Sequence, residues 1–357
     1  MAAAASHAID ALSTKLGKRW ESIDASIERA VAEQAKIASI LYATALVPSD
    51  VSFVVFGSLA RREWTIGSDV DWSLMIDGQA DPGHLRIAQT ISSHLMEAKL
   101  QSPGPTQTFG SLAFSHDIIH QIGGDADTNR NTTQRILLLL ESWPIGNADA
   151  YDRVVKAVLN RYLDNDISFL SHSGQQYKVP RFLLNDIVRY WRTMCVDYAN
   201  KFRERRGEKW AIRNAKLRLS RKLIFAAGLL TCFSCYLKPP MGDANLFDLP
   251  NHIEPLLAHI RTYVRMTPLE ILADAAFAFA KPETAALLFD SYDRFLAMIN
   301  DGEKRKQLSD MKAKEAQSSP LFREVRDISA NFQKGLTHLF FDDHPKLTEL
   351  TREYGVF

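Results

Sequence analysis

Cysteine is scarce, with three in 357 residues. So low and odd a count excludes a disulfide-built scaffold and points to a reducing compartment, the cytoplasm. Cys232 and Cys235 stand at CxxC spacing, but in an apolar helical stretch with no second pair, so they read as buried structural thiols. Long apolar runs are missing too. The longest, Leu223–Leu237, has 15 residues and includes Thr231 and Ser234, whereas a membrane-spanning helix needs about 20. The opening MAAAASHAIDALSTKLGKRW lacks the compact apolar core of a secretion signal, and Asp10 interrupts it early. Neither sign of charge is in excess: a net charge of +1 excludes a globally basic nucleic-acid binder while leaving local patches open. There is no repeat of fixed period, and no low-complexity tract follows the first alanines. What remains is an ordinary soluble composition, 46% apolar and 24% charged, in a chain long enough for two domains.

Chemistry concentrates in Phe53–Ile76, FVVFGSLARREWTIGSDVDWSLMI. An apolar run, Val51–Phe56, predicts a strand; Gly57-Ser58 follows, then a turn-rich segment, then Asp69-Val70-Asp71 opening a second strand. In that second run Val70, Trp72, Leu74 and Ile76 alternate with Asp69, Asp71, Ser73 and Met75, so the two carboxylates project from one face. Two acids so placed repel each other unless a hard cation sits between them, and Mg²⁺ favours one or two carboxylates plus substrate phosphates. Glycine after a strand lets the backbone turn sharply and approach a ligand, and the N–H groups behind it can hold a phosphate. Arg61 and Arg62 add two cations on the next turn. Together these parts point to metal-dependent nucleotidyl transfer.

The pattern GS, about ten residues, then Asp-x-Asp resembles the signature of the polymerase-β-like nucleotidyltransferase superfamily. GSLARREWTIGSDVDW looks closest to the branch of the PII uridylyltransferases and their stand-alone bacterial relatives, a branch that often has Gly where this chain has Arg62. The specific likeness covers about 25 residues, with a looser one to Tyr236. It implies an α+β polymerase-β-like core with a large C-terminal helical domain, and Mg²⁺ or Mn²⁺ held by Asp69 and Asp71. Gly57 and Ser58 would carry the phosphates of a nucleoside triphosphate. A third carboxylate is also implied, on a further strand or before a Leu-rich helix ending Glu-Ser, here Glu141-Ser142. Asp117, Asp125 and Asp127 are the candidates, and Asp127 is preferred because Thr128-Asn129 starts a helix behind it.

Around this core, residues 1–47 read as N-terminal helices, 48–147 as the catalytic core and 148–300 as a helical nucleotide- and acceptor-binding domain. Residues 301–357 read as a charged helix and tail. A helix is expected from His84 to Lys99, another over Asp149–Leu163 and a loop over Asp164–Lys178. A long helix follows, Arg181–Lys201, with Leu184, Ile187, Val188, Trp191, Cys195 and Tyr198 inward and Asp186, Arg189, Tyr190, Thr193 and Asp197 outward. Pro239-Pro240 to Gly242 and Leu249-Pro250 mark a hinge. Lys201–Lys222 holds ten Lys/Arg against two Glu. In relatives the helical domain faces the catalytic sheet, which makes Arg213 and Lys216 candidates for triphosphate or base contacts. Arg218, Arg221 and Arg189 stand behind them, with Trp210, Tyr190 and Trp191 as possible stacking rings. His116 and His120 lack further partners for zinc.

The expected activity transfers an NMP or dNMP to a hydroxyl with release of pyrophosphate. The acceptor is a nucleotide 3′-hydroxyl or growing oligonucleotide, as in bacterial antiphage relatives including the Hailong type, or a protein side chain, as in uridylylation or adenylylation. Tyr354 is a candidate protein primer. The competing expectation is a catalytically silent nucleotide-binding partner protein such as an antitoxin.

Overall fold

The computed structural model describes residues 7–44, 48–103, 109–170, 179–204, 207–240 and 253–355. In chain order the elements are α1 (His7–Leu16), α2 (Glu21–Thr44), β1 (Val51–Phe56), α3 (Gly57–Ala60), β2 (Asp71–Ile76), α4 (Pro82–Glu97), β3 (Ser111–Phe114) and α5 (Ser115–Ile119). Next come α6 (Asn129–Leu140), β4 (Ser142–Ile145), α7 (Asp149–Leu170), α8 (Arg181–Glu204), α9 (Trp210–Lys216), a π-helical turn Leu217–Arg221 and α10 (Lys222–Leu237). The rest is α11 (Ile253–Val264), α12 (Pro268–Phe279), α13 (Pro282–Asn300), α14 (Gly302–Asp310), α15 (Pro320–Phe341) and α16 (Pro345–Leu350). The chain divides into two compact units. One comprises 26–176 with 245–265; the other comprises 1–25, 177–244 and 266–357.

The first unit is α+β. Its four-stranded sheet has the order β3-β2-β1-β4, with β1 antiparallel to both β2 and β4, and β2 parallel to β3. β1 is buried along its whole length because helices cover both faces. Phe53 and Val55 join Trp72, Leu74 and Ile76 in a core with Ala30, Ile37 and Leu41 of α2 and Ile91 and Leu95 of α4. Phe53 stacks on Trp72 at 5.3 Å. On the other face Ser52 is buried but satisfied, its Oγ accepting the Tyr151 N–H of α7 at 3.1 Å.

Two expectations need correction here. α7 does not stop at Leu163 but continues to Leu170. The further strand expected to carry a third carboxylate is β3, four residues long, and Ile118 and Ile119 after it belong to the short helix α5, with Ile118 buried.

The second unit is helical. On α8 the buried residues are Leu183, Leu184, Ile187, Tyr190 and Met194, an i, i+3/i+4 stripe that takes Tyr190 inward and leaves Trp191, Cys195 and Tyr198 at its margin. Tyr190 therefore packs in the core rather than standing ready to stack on a base. Trp191 stacks on Phe225 at 5.2 Å and Trp210 packs tilted against Phe322 at 5.0 Å, so those rings also have partners within the unit. α10 is buried nearly all round, Cys232 and Cys235 included, and neither thiol is in a disulfide. Among the described residues no helix is long and apolar enough to cross a membrane. The hinge expected at 239–250 lies outside the described residues beyond Pro240.

Candidate functional site

β1 and β2 are registered so that Phe56 faces Asp71, which brings the end of one strand against the start of the other. The chain leaves Phe56 through Gly57, whose φ of +66° lies in the left-handed region. A Cβ built on Gly57 would meet Asp71 Oδ2 at 2.8 Å. Only a residue without a side chain fits both the turn and the neighbouring acid. Asp71 opens β2. Asp69, expected on the strand as well, lies just before it, in a segment held by the Val70 N–H donating to the Gln101 carbonyl at 2.9 Å. Both acids are half-buried. Ser58 sits in the single turn α3, its carbonyl accepting the Glu63 N–H at 2.8 Å.

Of the arginines after this turn, Arg62 is buried and Arg61 half-buried. Arg61 Nε donates to Glu63 Oε2 at 3.0 Å, and its Nη1 donates to Glu141 Oε2. Both glutamates are buried, so Arg61 serves the turn's own charge balance. Arg62 is 5% exposed and lies over the Trp143 ring at 5.2 Å. Its φ is +57°, the conformation glycine adopts without cost. The glycine typical of the resembled branch and the arginine here thus serve one backbone shape. Arg62→Gly is expected to keep that shape, relieving roughly 1 kcal/mol of backbone strain while losing the packing on Trp143. Arg62→Ala loses the packing without the relief. The glycine variant should therefore melt above the alanine variant in a thermal scan.

Sequence reasoning missed Glu141. Phe56 pairs with Ser142 as it does with Asp71, so Glu141 enters at the same end of the sheet as Gly57. Its only sequence signal was the Glu-Ser ending of the Leu-rich helix.

The candidates for a third carboxylate are not brought to Asp71. β3 runs parallel to β2 with Phe114 opposite Ile76, and Asp117 follows Phe114. Asp117 thus lies past the far end of β2, about 17 Å along the strand from Asp71 at the usual rise. Asp127 precedes α6, whose 12 residues separate it from Glu141 by about 18 Å of helix. Its carboxylate receives Arg135 Nη1 at 3.2 Å, Arg135 Nη2 at 2.9 Å and the Gly123 N–H at 3.2 Å. Arg135 is fully buried and also donates to Tyr162 Oη at 2.6 Å and, at 3.4 Å, to the Ile118 carbonyl. This is a structural ion pair bracing α5, α6 and α7. Asp125, next to it, is exposed. Breaking such a buried pair costs about 3–5 kcal/mol. Asp127→Ala should lower the denaturation midpoint steeply while leaving the activity per folded molecule intact.

The basic segment belongs to the helical unit. Arg213 and Lys216 on α9 are half-buried, Arg218 on the π-helical turn is exposed and Arg221 is half-buried. Lys222 Nζ donates to Gln333 at 2.6 Å, and burial, aided by Arg218, pushes its pKa down. Arg189 lies 4.0 Å from Asp186, and Lys201 pairs with Asp197 at 2.6 Å. His116 and His120 meet edge to face at 5.2 Å. Among the described residues no group of three or more His, Cys, Asp or Glu could hold a metal. Tyr354 is half-buried in a terminal π-helical turn, Thr351–Gly355.

A family model described as "Putative nucleotidyltransferase DUF294" matches residues 9–108. The matched span holds Gly57, Ser58, Asp69 and Asp71 and ends before Asp117, Asp127 and Glu141. It supports nucleotidyl transfer in general. No curated protein matches the chain.

Proposed function

We propose that the chain is a metal-dependent nucleotidyltransferase acting on a nucleoside triphosphate, with its reacting centre at the Gly57–Asp71 end of the sheet. The observation that carries this reading is the approach of the Asp71 carboxylate to Gly57, where a Cβ would intrude at 2.8 Å. An acid held against a bare stretch of backbone sets a carboxylate, which could take a cation, beside a turn whose N–H groups could take a phosphate. The donor set fits Mg²⁺ or Mn²⁺, hard ions that take carboxylate oxygens and complete their shells with water and substrate phosphates. Asp69 and Asp71 would hold the ion, and Gly57 and Ser58 the phosphates. When bound, it would supply charge neutralisation at the phosphoryl group and lower the pKa of the attacking hydroxyl.

In the reaction the acceptor oxygen forms a bond to the α-phosphorus, and the bond from that phosphorus to the bridging oxygen breaks. Pyrophosphate leaves, and the hydroxyl proton passes to solvent. The reading rests on two carboxylates, because Asp117 and Asp127 stand at the other end of the sheet. We take a nucleotide 3′-hydroxyl or oligonucleotide as the acceptor; the run 201–222 carries ten Lys/Arg against two Glu in sequence, a charge balance suited to a polyanion. Arg213, Lys216, Arg218 and Arg189 are its proposed contacts on the helical unit. A defence role and a cytoplasmic setting accompany this acceptor as parts of the same proposal.

The test incubates the purified protein with each labelled NTP and dNTP and Mg²⁺ or Mn²⁺. Pyrophosphate with a labelled nucleotide ladder supports the proposal. Label on the protein itself would move the acceptor to a side chain. Tight nucleotide binding without pyrophosphate would overturn the reading in favour of a silent binding protein.

A further inference from the structure

Helix α2 does more than cover the sheet. Its apolar residues Ala30, Ile37 and Leu41 already dock it onto the core of the first unit. Three polar side chains on or beside that stripe make a separate set of bonds, all to backbone carbonyls of the turn that follows β1. Ser26 Oγ donates to the Arg62 carbonyl at 3.3 Å, Arg29 Nε to the Trp64 carbonyl at 3.3 Å and Gln34 Nε2 to the Leu59 carbonyl at 3.0 Å. Ser26 lies within the buried stripe and is itself buried; Arg29 and Gln34 flank it.

The turn needs holding from outside. It contains two left-handed residues, Gly57 and Arg62, and only one helical turn of its own. Its far end leads within a few residues to Asp69. Buried carbonyls in such a segment require donors, and α2 provides them from one rigid element.

We propose that Ser26, Arg29 and Gln34 are positioning residues that fix the Gly57–Trp64 turn, and through it the placing of Gly57 and Ser58 against Asp71. This rests on the transferase reading above. Loss of the three donors lets the turn relax without undocking the helix, and a displacement of about 1 Å at a reacting centre can cost about a hundredfold in rate.

The test compares Ser26→Ala/Arg29→Met with Ser26→Thr/Arg29→Lys, each pair with and without Gln34→Met. Turnover is read by pyrophosphate release, and amide hydrogen exchange is followed over residues 57–64 and over β1. The donor-free pair should lose about tenfold or more in kcat, and the donor-keeping pair should regain most of it at a similar melting temperature. Exchange should quicken over 57–64 and not over β1. Equal kcat for the two pairs, or unchanged exchange in the turn of the triple variant, would overturn the proposal. An inert wild type would instead sink the transferase reading, and the exchange measurement would then decide the role of α2 by itself.

Discussion

Asp71→Asn is expected to abolish the proposed nucleotidyl transfer while leaving the melting temperature where it was or slightly higher. The side chain keeps its size and its place at the head of β2 but loses the charge that would grip a divalent ion. A bound metal contributes several kcal/mol of transition-state charge stabilisation, and each 1.36 kcal/mol is tenfold in rate. A loss of at least about a thousandfold in kcat is therefore expected. Asp69→Asn should behave alike. Removing one of two neighbouring like charges relieves repulsion, so the fold gains rather than suffers. Pyrophosphate release against a thermal melt of the same preparation is the measurement. A fully active Asp71→Asn enzyme would remove the basis for the proposed chemistry.

Gly57→Ala carries the second large effect, and it reaches both stability and function. The new methyl group enters a backbone with φ of +66°, which costs roughly 1–2 kcal/mol for a residue with a side chain. It also arrives 2.8 Å from Asp71 Oδ2, closer than real contacts allow. Either the turn opens or the carboxylate swings away, and both spoil the site. A fall of about a hundredfold in activity is expected, together with a loss of about 1–3 kcal/mol of stability. The two contributions separate in a double-mutant cycle. In an Asp71→Ala background the clash is gone, so Gly57→Ala should cost less stability there than in the wild type. Equal costs in both backgrounds would mean that the acid and the glycine do not touch.

The parts of this site visible in the sequence are those set by local chain geometry. The strand Val51–Phe56, the glycine bend behind it and the acid at the head of the next strand follow from residue type and spacing within about twenty positions. The third carboxylate was not legible in the same way. Asp117 is displaced by the parallel register of β3 beside β2, and Asp127 by the full length of α6; neither register nor helix direction is written in the neighbourhood of either residue. Tyr190 was misplaced because the long helix α8 is turned by its packing, so the true stripe falls a few tens of degrees from the one its apolar residues suggested. Arg61 was read only as a cation on the turn because Glu141, eighty positions later, could not be known to bond it. The bonds from α2 to the turn were equally hidden, being made by ordinary side chains to carbonyls that carry no sequence signature.

Arg61, Arg62, Glu63 and Glu141 put two positive and two negative side chains largely out of water behind the Gly57 bend. Such a set is sensitive to being halved and tolerant of being exchanged whole, because a stranded ion in a dry interior is far costlier than a matched pair replaced by hydrocarbon. Genetic drift at these positions should therefore proceed in paired steps, an arginine leaving together with a glutamate. A library randomising all four codons would be expected to return survivors that are either fully ionic or fully oily, with few mixtures between.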